Sequence, residues 1–305
     1  MSVSPEPVHT LADLGQWPHA GVSLAILGHP IAHSLSPVIQ NAALAALAPT
    51  RPEFHDWHYF KFDVAPADLP RALALLHRRG FRGLNLTVPH KALAVEHLVA
   101  GDAFVRAAGA ANTLIRTDDG WRGANTDGAG FSAALRQDLG ADLTGADVVL
   151  LGAGGAARAA AVECLRLHCG SLWIGNRTRT NLDALLARLE VFAAGTPLHG
   201  FELARPPAGL PAGAFVINAT ALGLDPAAAA PIDLRAVPRP AGVFDMIYQP
   251  SSTALLRQAT ELGVPHAHGL SMLVHQGARA FELWTGAPAP VAEMQVAAGA
   301  AIAAV

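Results

Sequence analysis

The chain has 305 residues, a formal net charge of −3 and a hydrophobic fraction of 51%, enough for one or two domains with a large core. The near-neutral balance lacks the basic footprint of a nucleic-acid partner, and no apolar run is long enough to span a bilayer. Residues 1–7 have no basic start or apolar core, so no signal peptide is read there; Cys164 and Cys169 lack a zinc spacing and point to a reduced, cytoplasmic setting.

In chain order, residues 22–27 predict a strand. Ser36-Pro37 opens a helix through residue 47, with proline at the first helical position. Residues 58–64 predict a strand and 68–79 an amphipathic helix stopped by Gly80. Residues 83–88 predict a strand, Pro89 opens a helix carrying Lys91, and 111–116 form another strand. This alternation implies a mostly parallel sheet covered by helices. After Asn125-Thr126-Asp127-Gly128 a helix runs to about residue 139.

Strand candidates follow at 148–151, 172–175, 215–218 and 243–247. A helix begins after Ser251, a suitable cap, and 269–284 reads as a long helix. The Ala-rich tail, 290–305, contains Glu293 and Gln295 and reads as a docked helix rather than a membrane anchor. Pro-rich stretches at 205–211 and 226–240 read as surface loops. The fold class is α/β with two parts. Residues 1–126, completed by 269–305, form an N-terminal α/β substrate domain with a mostly parallel sheet. Residues 127–268 form a Rossmann-like, doubly wound dinucleotide domain.

The second part carries the most informative motif. An apolar strand runs into Gly152-Ala153-Gly154-Gly155-Ala156-Ala157, and an Ala-rich helix follows. A diphosphate needs backbone N–H groups, close approach and a helix N-terminus in one place. Gly152 permits the tight turn, Gly154 the close approach, and Ala157 the contact of helix with strand. The next strand ends in Asn176-Arg177-Thr178-Arg179, where an NAD site usually has Asp or Glu. Two guanidiniums would attract a 2′-phosphate that a carboxylate would repel, so the cofactor is read as NADP.

Polar residues recur outside that motif. Ser34 and Ser36 stand at a strand-to-helix turn, where hydroxyls and a helix N-terminus suit a carboxylate; alternatively Ser36 simply caps the helix. Asn85 and Thr87 alternate, so both would face one side of a strand. Lys91 at a helix start opposes the helix dipole, a local cost that hints at function. Asp127 in Asp-Gly could equally be a turn, and Asn112 on a strand is similarly ambiguous. His29, His33, His90, His268 and His275 show no metal-ligand spacing, so no metal is expected.

Taken together, these segments resemble the shikimate dehydrogenase family along almost the whole chain. The carrying pieces are His33-Ser34-Leu35-Ser36-Pro37, Asn85-Leu86-Thr87-Val88-Pro89-His90-Lys91, Gly109-Ala110-Ala111-Asn112-Thr113-Leu114 and Asn125-Thr126-Asp127-Gly128. To these are added the glycine turn, Asn176-Arg177-Thr178, Asn218-Ala219-Thr220, residues 245–250 and residues 269–276. The resemblance implies NADP-dependent reduction of 3-dehydroshikimate to shikimate in aromatic amino-acid biosynthesis. Lys91 and Asp127 would be the acid–base pair, and Ser34 and Ser36 would hold the carboxylate. Asn85, Thr87, Asn112, Tyr248 and Gln276 would contact the substrate, while Thr220, Gly269 and Met272 would join the glycine turn and Asn176 to Arg179 at the cofactor.

The sequence departs from the family pattern at Ala221, Gln40, His268 and Asn181. Alternatives are a quinate or aminoshikimate dehydrogenase, or a non-catalytic ligand sensor, against which the presence of both Lys91 and Asp127 argues. Ser36, where threonine would be the alternative, leans towards shikimate. The expected partner is a small molecule, with no nucleic acid and no membrane, in a monomer or homodimer.

Overall fold

The computed structural model describes residues 6–303. Residues 1–5 of the leading segment and the last two of the tail lie outside the described residues. The chain divides into two compact units, residues 1–126 with 274–305, and residues 127–273.

The first unit opens with β1 (Val8–His9), β2 (Val22–Gly28), α1 (Ser36–Leu47), β3 (Trp57–Asp63), α2 (Leu69–Arg78) and β4 (Gly83–Leu86). It continues with α3 (His90–Leu93), β5 (Ala100–Gly101), α4 (Ala103–Ala108), β6 (Thr113–Thr117) and β7 (Gly120–Ala124). Among the described residues these strands form one sheet ordered β1-β3-β2-β4-β6-β7-β5. It is parallel except where β6 runs against β4 and β7. β2 is apolar without alternation because both its faces are covered, as in parallel sheets generally. Leu24 and Ile26 pack with Tyr59 on one face; Ala25 and Leu27 pack with Phe62 and Phe81 on the other.

In this unit the structure differs from the sequence expectation at three points. β4 ends at Leu86, so Thr87 lies beyond the strand and shares no pleated face with Asn85. β6 begins at Thr113, so Asn112 sits just before it. α3 is a single turn of four residues, too short for the aligned dipole that was expected to oppose Lys91.

The second unit contains α5 (Asp127–Leu139), β8 (Asp147–Leu151), α6 (Gly155–Arg166), β9 (Ser171–Asn176), α7 (Arg179–Glu190) and β10 (Leu198–Glu202). β11 (Phe215–Asn218), β12 (Gly242–Asp245), α8 (Ala254–Glu261) and β13 (His266–His268) follow. The strands are parallel, in the order β10-β9-β8-β11-β12-β13. Counted within the unit this is 3-2-1-4-5-6, the doubly wound order whose ligand crevice lies where the order reverses, beyond the ends of β8 and β11. Ala157, Ala159, Ala160 and Ala161 of α6 are fully buried, which lets the helix lie close to the strands. The cap of α8 is Thr253 and not Ser251: its hydroxyl accepts the Leu256 N–H at 3.3 Å.

The chain ends in α9 (Leu270–Thr285) and α10 (Val291–Ala303), and the seam between the units falls within α9. In the first unit α10 packs on α1, and Trp284 of α9 donates its indole N–H to the Leu114 carbonyl at 3.0 Å.

Candidate active site

In the first unit, several of the expected polar residues are joined in one buried network. The Asn112 carboxamide accepts the Thr126 N–H at 2.7 Å and the Thr113 hydroxyl at 3.0 Å. Its Nδ2 donates to Thr126 Oγ1 at 2.9 Å and to Gln276 Oε1 at 3.2 Å. Asn85 is tied in from β4, where Nδ2 donates to the Asn112 carbonyl and to Thr113 Oγ1, both at 3.1 Å. Its Oδ1 accepts the Tyr59 hydroxyl at 2.8 Å. Both donors of Asn85 are therefore engaged within the protein, so what it offers a ligand is limited to the second lone pair of Oδ1. Networks of this kind in a low-dielectric interior hold their members in one arrangement.

Tyr59 escaped the sequence reading. It is fully buried; burial pushes its phenol well above the usual tyrosine range, and the nearby Ser36 hydroxyl acts in the opposite direction. Ser36 is the first residue of α1 and does not cap it. Leu35 is the N-cap of α1 and no side chain satisfies it. Ser34 Oγ accepts the Ser36 N–H at 3.3 Å, and the Ser34 N–H closes a turn onto the Ile31 carbonyl at 3.0 Å. The result is a loop with two hydroxyls at an uncapped helix start, where orphan N–H groups favour an anion.

Thr87 follows β4 and donates its N–H to the Leu27 carbonyl at 2.9 Å. Lys91 is half-buried, and its carbonyl accepts the Ala111 N–H at 2.8 Å, tying its turn to the segment that carries Asn112. The preceding His90 is wholly buried. Its Nε2 faces the Val64 carbonyl at 2.9 Å, so that nitrogen bears the proton, and Nδ1 is buried without a partner. Burial holds the imidazole below the ordinary histidine pKa.

In the second unit, Asp127 is the first residue of α5 and is buried, where the helix N-terminus favours a carboxylate. The glycine turn lies between β8 and α6. Gly152 has φ +118, and a Cβ there would stand 3.0 Å from the Ala219 carbonyl oxygen; the turn packs against the segment leaving β11. Gly154 is the N-cap of α6 and no side chain caps the helix. A Cβ at Gly154 would meet nothing within 4 Å. Ala153 is buried, while Gly155 and Ala156 are half-buried in the first turn. Uncapped N–H groups facing open space fit a dinucleotide diphosphate.

Asn176 ends β9 and donates Nδ2 to the Thr178 carbonyl at 2.9 Å. Arg177, Thr178 and Arg179 are exposed beyond it, which fits a ribose phosphate reaching the end of β9. Arg179 forms an i,i+4 pair with Asp183 at 2.9 Å, leaving Arg177 as the guanidinium at this strand end not drawn into that pair.

The loops after β11 and β12 are held by a second network that the sequence did not disclose. Asn218 Nδ2 donates to Asp245 Oδ1 at 2.9 Å, and its Oδ1 accepts the Thr220 N–H and hydroxyl at 3.0 and 2.7 Å. Asp245 also accepts the Ile247 N–H at 3.0 Å and the Thr253 hydroxyl at 2.7 Å. Burial raises the Asp245 carboxyl pKa, while these donors pull it back. Tyr248 is partly exposed in the following loop, and burial raises its phenol pKa. A Cβ on Gly269 would collide with the Met246 backbone, and Met272 is buried one turn into α9. Among the described residues, no group of three or more His, Cys, Asp or Glu side chains could hold a metal ion.

A doubly wound parallel sheet with a glycine turn and an uncapped helix at its switch point defines the dinucleotide-binding α/β class. Comparison with known proteins narrows it. The family model for the shikimate dehydrogenase substrate binding domain matches residues 26–114, and that for the shikimate 5'-dehydrogenase C-terminal domain matches residues 269–297. A shikimate dehydrogenase (NADP(+)) of Moorella thermoacetica is 41% identical over 279 residues, 89% of this chain and 90% of its own. The Thermus thermophilus shikimate 5-dehydrogenase, solved in complex with NADP(H) and shikimate, superposes with a TM-score of 0.79 at 36% identity, covering 92% of this chain and 99% of its own. A further shikimate dehydrogenase, solved with NADP+, reaches 0.82 at 31% identity, covering 92% and 96%. The chain belongs to the shikimate dehydrogenase family.

Proposed function

We propose that this protein catalyses the NADP-dependent, reversible reduction of 3-dehydroshikimate to shikimate. The observation that carries the reading is the match to the Moorella enzyme over 89% of the chain, along which the residues needed for the chemistry are present. Bound NADPH supplies a hydride from carbon 4 of its nicotinamide to the substrate carbonyl carbon. As that hydride arrives, negative charge builds on the carbonyl oxygen. Lys91, as an ammonium, stabilises that charge and delivers the proton. Asp127 is the carboxylate partner in the proton transfer and serves the reverse direction.

Ser34 and Ser36 bind the carboxylate at the start of α1. Asn112 and Gln276, already joined at 3.2 Å, present ordered amides to the ring hydroxyls, with Asn85, Thr87 and Tyr248 completing the contacts. The glycine turn holds the diphosphate, Arg177 and Arg179 with Asn176 and Thr178 hold the adenosine end, and Thr220, Gly269 and Met272 line the nicotinamide side. Residues 127–268 serve as the cofactor domain, and 1–126 with 269–305 as the substrate domain.

The buried free thiols of Cys164 and Cys169 support a cytoplasmic setting, where the enzyme works as a monomer or homodimer. Absorbance at the reduced-nicotinamide band, with shikimate or quinate and NADP or NAD in four combinations, tests the proposal. Fastest turnover is expected with shikimate and NADP. No turnover in any combination would return the protein to the sensor reading, and preference for quinate would reassign its substrate.

A further inference from the structure

One buried cation of the first unit has no part in the reaction described above. Lys61 lies on β3 and is 5% exposed. Its Nζ donates to the Ala32 carbonyl at 2.9 Å, and among the described residues this is the one hydrogen bond the ammonium makes. An ammonium has three donors, and burying one with a single neutral acceptor is costly. Burial pulls the Lys61 pKa below the usual lysine range. Glu6 raises it again, but Glu6 is also engaged by His58 at 3.1 Å. An apolar side chain would fill this place in the strand without that cost.

What the lysine holds gives the cost a reason. Ala32 is a central residue of the turn closed by the Ser34 N–H on the Ile31 carbonyl at 3.0 Å. Ser34 Oγ in turn accepts the Ser36 N–H. Two residues earlier on the same face of β3, the buried Tyr59 phenol lies near the Ser36 hydroxyl. One face of β3 thus backs the serine loop, with a neutral phenol near Ser36 and a cation hydrogen-bonded to Ala32. The loop keeps its two hydroxyls and the uncapped start of α1, and it carries a positive charge behind it where water does not screen it.

We propose that Lys61 is a positioning and specificity-determining residue for the substrate carboxylate: it fixes loop 32–36 and supplies the charge by which that loop selects an acid over its uncharged ester. This rests on the role of Ser34 and Ser36 proposed above. The test compares kcat and KM for shikimate and for shikimate methyl ester, at saturating NADP, in wild type, Lys61→Met and Lys61→Gln. Circular dichroism and NADP affinity check that each variant is folded.

In Lys61→Met the acid-to-ester ratio of kcat/KM should fall about tenfold or more, the loss expected for one charge-assisted contact, with the change carried mainly by KM for the acid. Lys61→Gln keeps a donor for the Ala32 carbonyl but no charge, so it should lose the same discrimination; it decides the matter if Lys61→Met does not fold. An unchanged ratio, whether both substrates lose equally or neither does, overturns the proposal and leaves Lys61 as a strut. Wild-type protein that oxidises no shikimate overturns the functional reading itself, an outcome distinct from wild-type turnover with undiminished discrimination in the variants.

Discussion

The two units build their binding features from opposite materials. The first uses buried side chains whose hydrogen bonds are largely spent on one another. Asn112 joins Thr126, Thr113 and Gln276, and Asn85 joins Tyr59, Thr113 and the Asn112 backbone. The second uses a backbone turn with almost no side chain: Gly154 faces open space and the first turn of α6 has no cap. A ring carrying several hydroxyls is told from its relatives by fixed donors and acceptors, which must be ordered before it arrives. A diphosphate needs only N–H groups and room.

The largest effect that could break this comparison is chemical, because the proposed proton-transfer residues lie one in each unit. Lys91→Ala or Asp127→Asn should lower turnover about 10²–10⁴-fold, the range for a positioned acid or base, and should leave the NADP dissociation constant close to wild type. The double variant should lose much less than the product of the single losses, since paired groups act as a unit. Single-turnover rates are needed alongside steady-state ones in case product release limits the wild type. A near-normal single-turnover rate in Lys91→Ala would remove the lysine from the mechanism.

Next comes a matched pair of substitutions, one in each material. Gly154 has φ −77 and ψ −174, extended backbone that any residue adopts, and a Cβ there touches no protein atom within 4 Å. Gly154→Val should therefore leave thermal stability nearly unchanged while weakening NADP by about 1–3 kcal/mol through crowding of the ligand. Asn112→Ala should do the reverse. It strands buried partners and should cost about 1–3 kcal/mol of folding stability, read by urea denaturation, with little effect on NADP. If Gly154→Val destabilised the fold as much as Asn112→Ala, the distinction between the two materials would be lost.

Within the second unit the arginines sharpen the comparison further. Arg179 is already paired with Asp183, so Arg177 is expected to carry more of the preference for a 2′-phosphate. Arg177→Ala should raise KM for NADP about ten- to hundredfold, as for loss of a charged hydrogen bond, and leave NAD almost unaffected. Arg179→Ala should do distinctly less. Equal losses with both cofactors would mean that neither arginine reads the phosphate.

What was legible in the sequence follows the same division. The glycine turn could be read because its requirements are local: a strand, a tight turn with φ > 0 at Gly152, and a helix start. The serine loop could be placed for the same reason. The partners that fix the loop could not be, since Tyr59 and Lys61 reach Ser36 and Ala32 only through the parallel pairing of β2 with β3. Their one trace was two polar side chains at alternate positions of Trp57-His58-Tyr59-Phe60-Lys61-Phe62. By sequence Ser251 is a suitable cap for α8, whereas the structure uses Thr253. The choice is made by Asp245, whose Oδ2 holds the Thr253 hydroxyl. β7 was missed because Gly120-Trp121-Arg122-Gly123-Ala124 has little strand character, and its antiparallel partner β6 imposes the conformation.

The smallest expected effect concerns His90, which bridges a motif readable in sequence and a role visible only in the fold. Its ring is buried and neutral, with Nε2–H donating to the Val64 carbonyl and Nδ1 unpartnered. Burial is the largest cause of its lowered pKa; the Val64 bond and Asp63 act against it, and His29 acts with it. In the unfolded chain the imidazole has its ordinary pKa of 6.5. Below that pH the unfolded state binds a proton that the folded state refuses. The stability contributed by neutral His90 is thus fully present above pH 6.5 and is lost as pH falls towards the folded-state value, with a slope of at most about 1.4 kcal/mol per pH unit. His90→Phe removes the titration and adds a pH-independent cost at the Val64 carbonyl, so the slope rather than the absolute stability is the readout. Urea denaturation at about pH 7.5 and about pH 5.5 should show the wild type losing more stability on acidification than His90→Phe, by roughly 1 kcal/mol. Equal losses would mean that the folded state accepts the proton, and that His90 is not held neutral beside Lys91.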